Sequence, residues 1–242
     1  MRRSIWLSVM VTVLLFSGAL YSQMSSDEAW TNLVNGNNRF VSGELAQKDI
    51  GAAKRMTLAK GQSPSATVVT CSDSRVSPEL LFDQGLGDVF VIRTAGNVLD
   101  KIAIGSIEYG VEHLHTPVLV IMGHSSCGAV TAALDLKGRP KGNIGAIVKK
   151  ILPAVKKAKE SGKTDRAEVL NLAVQENVKR VAENLMKHSH IIKELVESGK
   201  LKIVMAEYML DSGKVEVIES PIDTNKHEHH KHEHHMHEEH TH

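Results

Sequence analysis

Two unbroken runs of apolar, largely β-branched residues constrain the fold of this chain more than any other feature. Val118, Leu119, Val120, Ile121 and Met122 follow one another without a polar interruption. Such a run suits a strand covered on both faces, as in a parallel sheet flanked by helices. A similar run over residues 67–71 ends on Cys71, and residues 89–93 read as a further strand after the turn-rich Asp83-Gln84-Gly85-Leu86-Gly87-Asp88. Helical patterns lie between and after the strands. Ser77 and Pro78 open one, with Ser77 as N-cap and Pro78 at the first helical position. Ile102, Ser106, Tyr109, Gly110 and Leu114 share a helical face that stops before Pro117. Residues 144–160 read as a helix with a kink or break at Pro153. Residues 166–188 carry Leu170, Ala173, Val174, Val178, Val181 and Leu185 on one side, and residues 189–198 form a short helix. Residues 202–210 and 214–218 flank Asp211-Ser212-Gly213 as a hairpin. The alternation predicts an α/β fold with a mostly parallel central sheet, an antiparallel edge strand and flanking helices. Residues 25–43, which include Asn35-Gly36-Asn37-Asn38-Arg39-Phe40, read as a short helix, a turn and a second short helix. With the polar residues 44–65 they would make an N-terminal helical arm over the core or a partner subunit.

The two ends of the chain read differently from its body. Met1, Arg2 and Arg3 precede a mainly apolar stretch over residues 5–16 and then Ser17, Gly18 and Ala19. That layout is expected of a secretory signal peptide, and the stretch is short for a membrane span of about 20 residues. An uncleaved anchor is the competing reading. The expected organisation is a signal peptide at 1–22, one globular domain at 23–225 and a tail at 226–242, in a periplasmic or secreted protein that leaves the membrane once the signal is removed. Nine of the 14 histidines fall in the tail, interleaved with Glu and Lys, so it cannot bury a core and is expected to be disordered. A formal net charge of +1 gives no indication of a nucleic-acid partner.

Chemistry concentrates around the only two cysteines. Cys71 opens Cys71-Ser72-Asp73-Ser74-Arg75 at the end of one strand, and His124 and Cys127 follow the end of another. Function in parallel α/β sheets collects at the carboxyl ends of strands, and right-handed crossovers bring such ends together. Two thiols and an imidazole suit zinc, and three protein ligands leave a fourth position open for catalysis. Cysteine count in an exported chain also allows a single disulfide, but a disulfide gives His124 and Asp73 nothing to do. Two thiolates neutralise Zn²⁺, so its water is acidified less than at a site of three imidazoles. A further group is then needed to hold the hydroxide. Asp73 is within reach, and Arg75 can pair with it bidentately; alternatively, Asp73 is a fourth ligand that closes the site. Gly123-His124-Ser125-Ser126-Cys127 lacks the last glycine of a nucleophile elbow, and Gly85 and Gly87 precede a strand rather than open a helix. His113, His115, His188 and His190 read as helix-end residues.

Cys71-x-Asp73-x-Arg75 together with His124-x-x-Cys127 resembles the signature of the β-class carbonic anhydrases. The likeness extends to Phe82-Asp83-Gln84-Gly85-Leu86-Gly87-Asp88, Arg93-Thr94-Ala95-Gly96-Asn97 and Gly123-His124-Ser125-Ser126-Cys127-Gly128, and covers about residues 27–219. The resemblance implies reversible hydration of CO₂ to bicarbonate and a proton. It implies one zinc per chain on Cys71, His124 and Cys127, attack of zinc-bound hydroxide on CO₂ in an apolar pocket, and Asp73 and Arg75 as the orienting dyad. It further implies a homodimer or a multiple of dimers, with the N-terminal arm embracing the partner.

Some members of that family are inhibited by bicarbonate through a tryptophan three residues before the first cysteine. Val68 stands there, so this inhibition is expected to be weak or absent. The tail suits additional weak metal capture, since neutral imidazoles bind Zn²⁺, Cu²⁺ and Ni²⁺, or an acid-responsive charge, or no function beyond solvation. A zinc-scavenging protein that uses the tail is therefore the alternative function. A thiol redox protein is a weaker reading, because the chain has no Cys-x-x-Cys.

Overall fold

Every residue of β1 (Ala66–Thr70) and β3 (Val118–His124) is buried, as their apolar runs require of strands with helices on both faces. The computed structural model describes residues 24–140 and 142–218. The signal peptide read at 1–22 and the tail read at 226–242 lie outside these residues. Five strands form one sheet in the order β2-β1-β3-β4-β5, completed by β2 (Val89–Arg93), β4 (Lys202–Tyr208) and β5 (Val215–Val217). The first four are parallel, and β5 returns antiparallel to β4 as the edge.

Period-2 alternation sorts the sheet into two packed faces. Val69, Leu119, Ile121 and Met205 meet α4 (Lys101–Glu108), α7 (Arg166–His188) and α8 (His190–Glu197) through Ile107, Val178, Leu185 and Ile192. Val68, Val120, Met122 and Ala206 meet α1 (Ser26–Ser42) and α3 (Pro78–Leu81) through Ala29, Leu33 and Leu81. A third cluster joins Cys71, Val98 and Cys127 to α5 (Gly128–Leu134) and α6 (Ile144–Lys159). No helix among the described residues is long and apolar enough to cross a membrane.

Four local expectations are corrected. Residues 26–42 form one helix, closed by a capping box at Ser25 and Glu28 and by Gly43 in the left-handed region. Gly36 sits mid-helix as a point of contact rather than a turn, since a Cβ there would lie 1.8 Å from the Phe82 carbonyl oxygen. Asn37 beside it donates to the Leu81 and Gly213 carbonyls at 3.0 and 2.9 Å and accepts from Val215 N–H at 2.9 Å, tying α1 to the hairpin. Second, α6 runs unbroken through Pro153. Its buried stripe of Val148, Ile151, Ala154, Val155 and Ala158 outweighs the proline cost of about 3 kcal/mol. Third, the face of α4 and the π-turn Tyr109–His113 that packs inward is Ala103, Ile107, Gly110 and Val111. Ile102 and Tyr109 are exposed. The wider π-turn rotates the later residues relative to a regular 3.6-residue period. Fourth, His124 is the last residue of β3, not a residue past it. Within 44–65, α2 (Ala52–Leu58) forms with no buried residue.

Candidate metal centre

The carboxyl ends of β1 and β3 are adjacent in the sheet, which is what brings the cysteines together. Cys71 follows the last residue of β1, and His124 closes β3 in register with Tyr208 of β4. Ser125 locks the turn beyond: its N–H donates to the Tyr208 carbonyl at 2.9 Å, and its hydroxyl accepts from Leu210 N–H at 3.0 Å. Ser126 then takes a left-handed backbone, φ +54°, reversing the chain so that Cys127 heads α5. The ligand atoms offered by Cys71, His124 and Cys127 all lie within 4.8 Å of one another, and the three residues are buried.

The donors fit a soft divalent cation. Nδ1 of His124 lies 2.9 Å from the Ser125 carbonyl oxygen, an acceptor, so Nδ1 carries the ring proton and Nε2 presents its lone pair. Nε2 is fully buried and has no hydrogen-bond partner among the described residues. A lone pair left so is costly unless something fills the position. The sulfurs are prepared as well. The Cys71 thiol is pulled well below its ordinary value, first by the hydrogen bond from Cys127 and, against the opposing effect of burial, by His124 and by the N–H groups of Gly96 and Asp73. Cys127 is pushed up by that same contact and by burial, while the N–H groups of Ala129 and Val130 oppose the shift. The pair therefore loses one proton readily and the second only with difficulty, and a divalent cation between them would remove both.

Asp73 and Arg75 stand beside this cluster. Asp73 Oδ2 lies 3.7 Å from His124 Nε2 and accepts from Arg75 Nη2 at 2.8 Å. The Arg75 side-chain hydrogen bond, followed by its backbone N–H and nearby charge, holds the Asp73 carboxyl far below the usual carboxylate range against the opposing effect of burial. All five residues singled out in the sequence thus meet in one place. His113, His188 and His190 do not. His113 stacks near Tyr109 with ring centroids 5.3 Å apart, His188 Nδ1 lies 2.8 Å from the Asn184 carbonyl oxygen, and His190 lies 3.6 Å from Glu194.

Sequence reasoning gave no role to three supporting groups. Gly96 N–H donates to Cys71 Sγ at 3.2 Å, from a residue at φ +66° whose added Cβ would meet Ile151 Cδ1 at 2.8 Å. Arg93 donates from Nη2 to the Asp73 carbonyl at 2.7 Å and from Nε to the Cys71 carbonyl at 3.2 Å. Asn177, buried on α7, donates to the Gly96 carbonyl at 2.9 Å. Arg93 was discoverable in principle: it ends β2 opposite Thr70, the residue before Cys71.

Comparison with known proteins gives a consistent result. The carbonic anhydrase family model matches residues 66–215. Carbonic anhydrase 2 of Mycobacterium tuberculosis is 41% identical over 191 residues, covering 77% of this chain and 89% of that protein. Among solved structures, the Coccomyxa β-carbonic anhydrase in complex with acetazolamide superposes with a TM-score of 0.64 at 27% identity, covering 78% of this chain and 86% of that one. One of two tetrameric β-carbonic anhydrases from Sordaria macrospora superposes with a TM-score of 0.64 at 25% identity, over 78% and 96% of the two chains.

Proposed function

The chain belongs to the β-class carbonic anhydrases, and on that premise we propose that it hydrates CO₂ reversibly to bicarbonate and a proton at a zinc ion held by Cys71, His124 and Cys127. The observation that carries this reading is the buried His124, whose Nε2 has no hydrogen-bond partner among the described residues and whose ligand atom lies within 4.8 Å of two thiols. Zinc, when bound, supplies a Lewis acid that makes water nucleophilic near neutral pH.

The chain's own residues supply the rest. Asp73, kept ionised by Arg75, offers an acceptor oxygen on the side of the three donors and orients the proton of an incoming water. Gly96 N–H steadies the Cys71 sulfur. CO₂ carries no charge, so it needs no ionic anchor. The apolar residues clustered with the cysteines, Val98, Val130 and Ile151 among them, supply a water-poor environment in which these polar contacts strengthen.

Export belongs to the same proposal, supported by the charged start, short apolar centre and small-residue exit of residues 1–22. A homodimer or a multiple of dimers is supported by the tetrameric relatives from Sordaria macrospora and by the exposed Ile102 and Tyr109. Stopped-flow CO₂ hydration, with zinc measured on the same sample, tests the reading. The expected result is zinc-dependent turnover that Cys71→Ser abolishes. One tightly held zinc per chain without turnover would overturn the catalytic reading.

A further inference from the structure

A cleft of about 670 Å³ opens between the N-terminus of α4, α6 and α7. Its walls carry Lys101, Lys149, Lys150 and Arg180, with Asn177 and a single carboxylate, Asp100. Asp100 is the N-cap of α4, and its Oδ1 accepts from Ala103 N–H at 2.9 Å. Four permanent cations thus face one carboxylate already engaged in capping.

Nearby lysines on the same helices are treated differently. Lys157 of α6 pairs with Glu176 of α7 at 2.5 Å, and Lys179 of α7 pairs with the same carboxylate at 3.1 Å. Lys101, Lys149, Lys150 and Arg180 form no ion pair among the described residues. Gathering unpaired charges of one sign in a concave site raises the local potential and concentrates counter-ions there. The start of α4 adds the positive end of its helix dipole.

The geometry points to this cleft as a binding site for an oligophosphate, either free or as the phosphate end of a nucleotide. With Asp100 offsetting one of the four cations, three positive charges remain (4 − 1 = 3). A monovalent anion leaves most of that uncompensated, whereas a phosphate chain of two or more units carries enough charge. It also presents the oxygens that an arginine fork and lysine ammonium groups recognise. The volume lies within the range of small-molecule pockets, about 300–1,000 Å³, and exceeds what a single small anion fills. The cations of the site include none of Cys71, Asp73, Arg75, His124 or Cys127, and its occupancy is read by binding rather than turnover, so it stands or falls independently of the catalytic reading.

Calorimetric titration of inorganic pyrophosphate into the zinc-loaded full chain at physiological salt tests the assignment. The expected result is saturable binding that weakens as salt rises, with a Kd at least tenfold higher in Lys150→Ala/Arg180→Ala. Lys60→Ala, which removes a charge elsewhere, should bind as the unmodified chain does. Thermal melting of each variant checks that these exposed substitutions leave the fold intact. A parallel titration with ADP separates the two sources: equal or tighter binding than pyrophosphate assigns the cleft to a nucleotide, and weaker binding to free oligophosphate. No binding of pyrophosphate, an affinity unchanged in the double variant, or an equal loss in Lys60→Ala would each overturn the proposal.

Discussion

Arg75 grips Asp73 at three points. Its backbone N–H and Nε donate to Oδ1 at 3.0 and 2.9 Å, and Nη2 donates to Oδ2 at 2.8 Å. Oδ2 is at the same time 3.7 Å from Nε2 of His124. The carboxylate is therefore ionised beside the three donors, fixed by Arg75 through both oxygens while Oδ2 keeps acceptor capacity toward His124.

Arg75→Ala should lower kcat/KM by about tenfold or more while zinc content stays near one per chain, the usual size of effect for a group that orients rather than ligates. The sign of the pH effect follows from the pairing. Arg75 depresses the Asp73 pKa, so its loss raises that pKa and the carboxylate protonates at a higher pH on acidification. The acid limb of the pH–rate profile should shift upward, as read by stopped-flow CO₂ hydration. An unchanged profile would remove Asp73 from the orienting role.

Cys71→Ser should reduce bound zinc to well under one per chain and abolish hydration, because an alcohol is a poor ligand for a site that depends on thiolates. Metal analysis after dialysis reads this directly. Acidification of the unmodified protein should also release zinc, since protons compete for both sulfurs. A Cys71→Ser protein that retains stoichiometric zinc would show that the metal sits elsewhere.

Gly96→Ala tests how Cys71 is supported. A methyl group there would lie 2.8 Å from Ile151 Cδ1 and 3.0 Å from Ala129 Cβ, on a backbone at φ +66°. Strain and overpacking together should cost about 1–3 kcal/mol, seen as a lower midpoint in urea. Because the Gly96 N–H reaches Cys71 Sγ, zinc should also be lost to a chelator faster than from the unmodified protein. Ala at the exposed Gly61, where no atom lies within 4 Å of the added Cβ, should change neither.

Asp83 carries the attachment of the chain after α1. It is buried, with Arg39 and Lys48 on its two oxygens and Ala46 N–H on Oδ2. Burial would raise its pKa, but these partners outweigh it and the net shift is downward. Its contribution to stability is therefore present above the unfolded carboxylate pKa, about 3.9, and is lost as pH falls through the lower folded value. Asp83→Asn should cost about 2 kcal/mol at neutral pH. It should also open residues 44–65 to protease, with cleavage sites identified by mass spectrometry.

Much of this protein was legible before its structure was. Strands buried on both faces leave a local signature, and Val118 to Met122 and the run before Cys71 show it without reference to anything distant. Rare residue types do the same for chemistry: two cysteines, each a few residues or fewer past a strand, point to where the ligands must meet. The tertiary structure decided what depends on contacts between segments far apart in sequence. Asn35-Gly36-Asn37-Asn38 has the composition of a turn, yet it lies within a helix because Gly36 lets α1 approach the Phe82 carbonyl and Asn37 finds partners 44 and 176 residues away. α4 buries Ala103 and Ile107 rather than the face that includes Ile102, and the π-turn at Tyr109 then brings Gly110 and Val111 inward. The N–H that supports Cys71 comes from Gly96, placed by the crossover that sets β2 beside β1. The cationic cleft needs three helices to assemble it. Periodicity and residue chemistry are properties of neighbours along the chain, whereas close approach, convergence and cavity walls are created only when the sheet orders its strands.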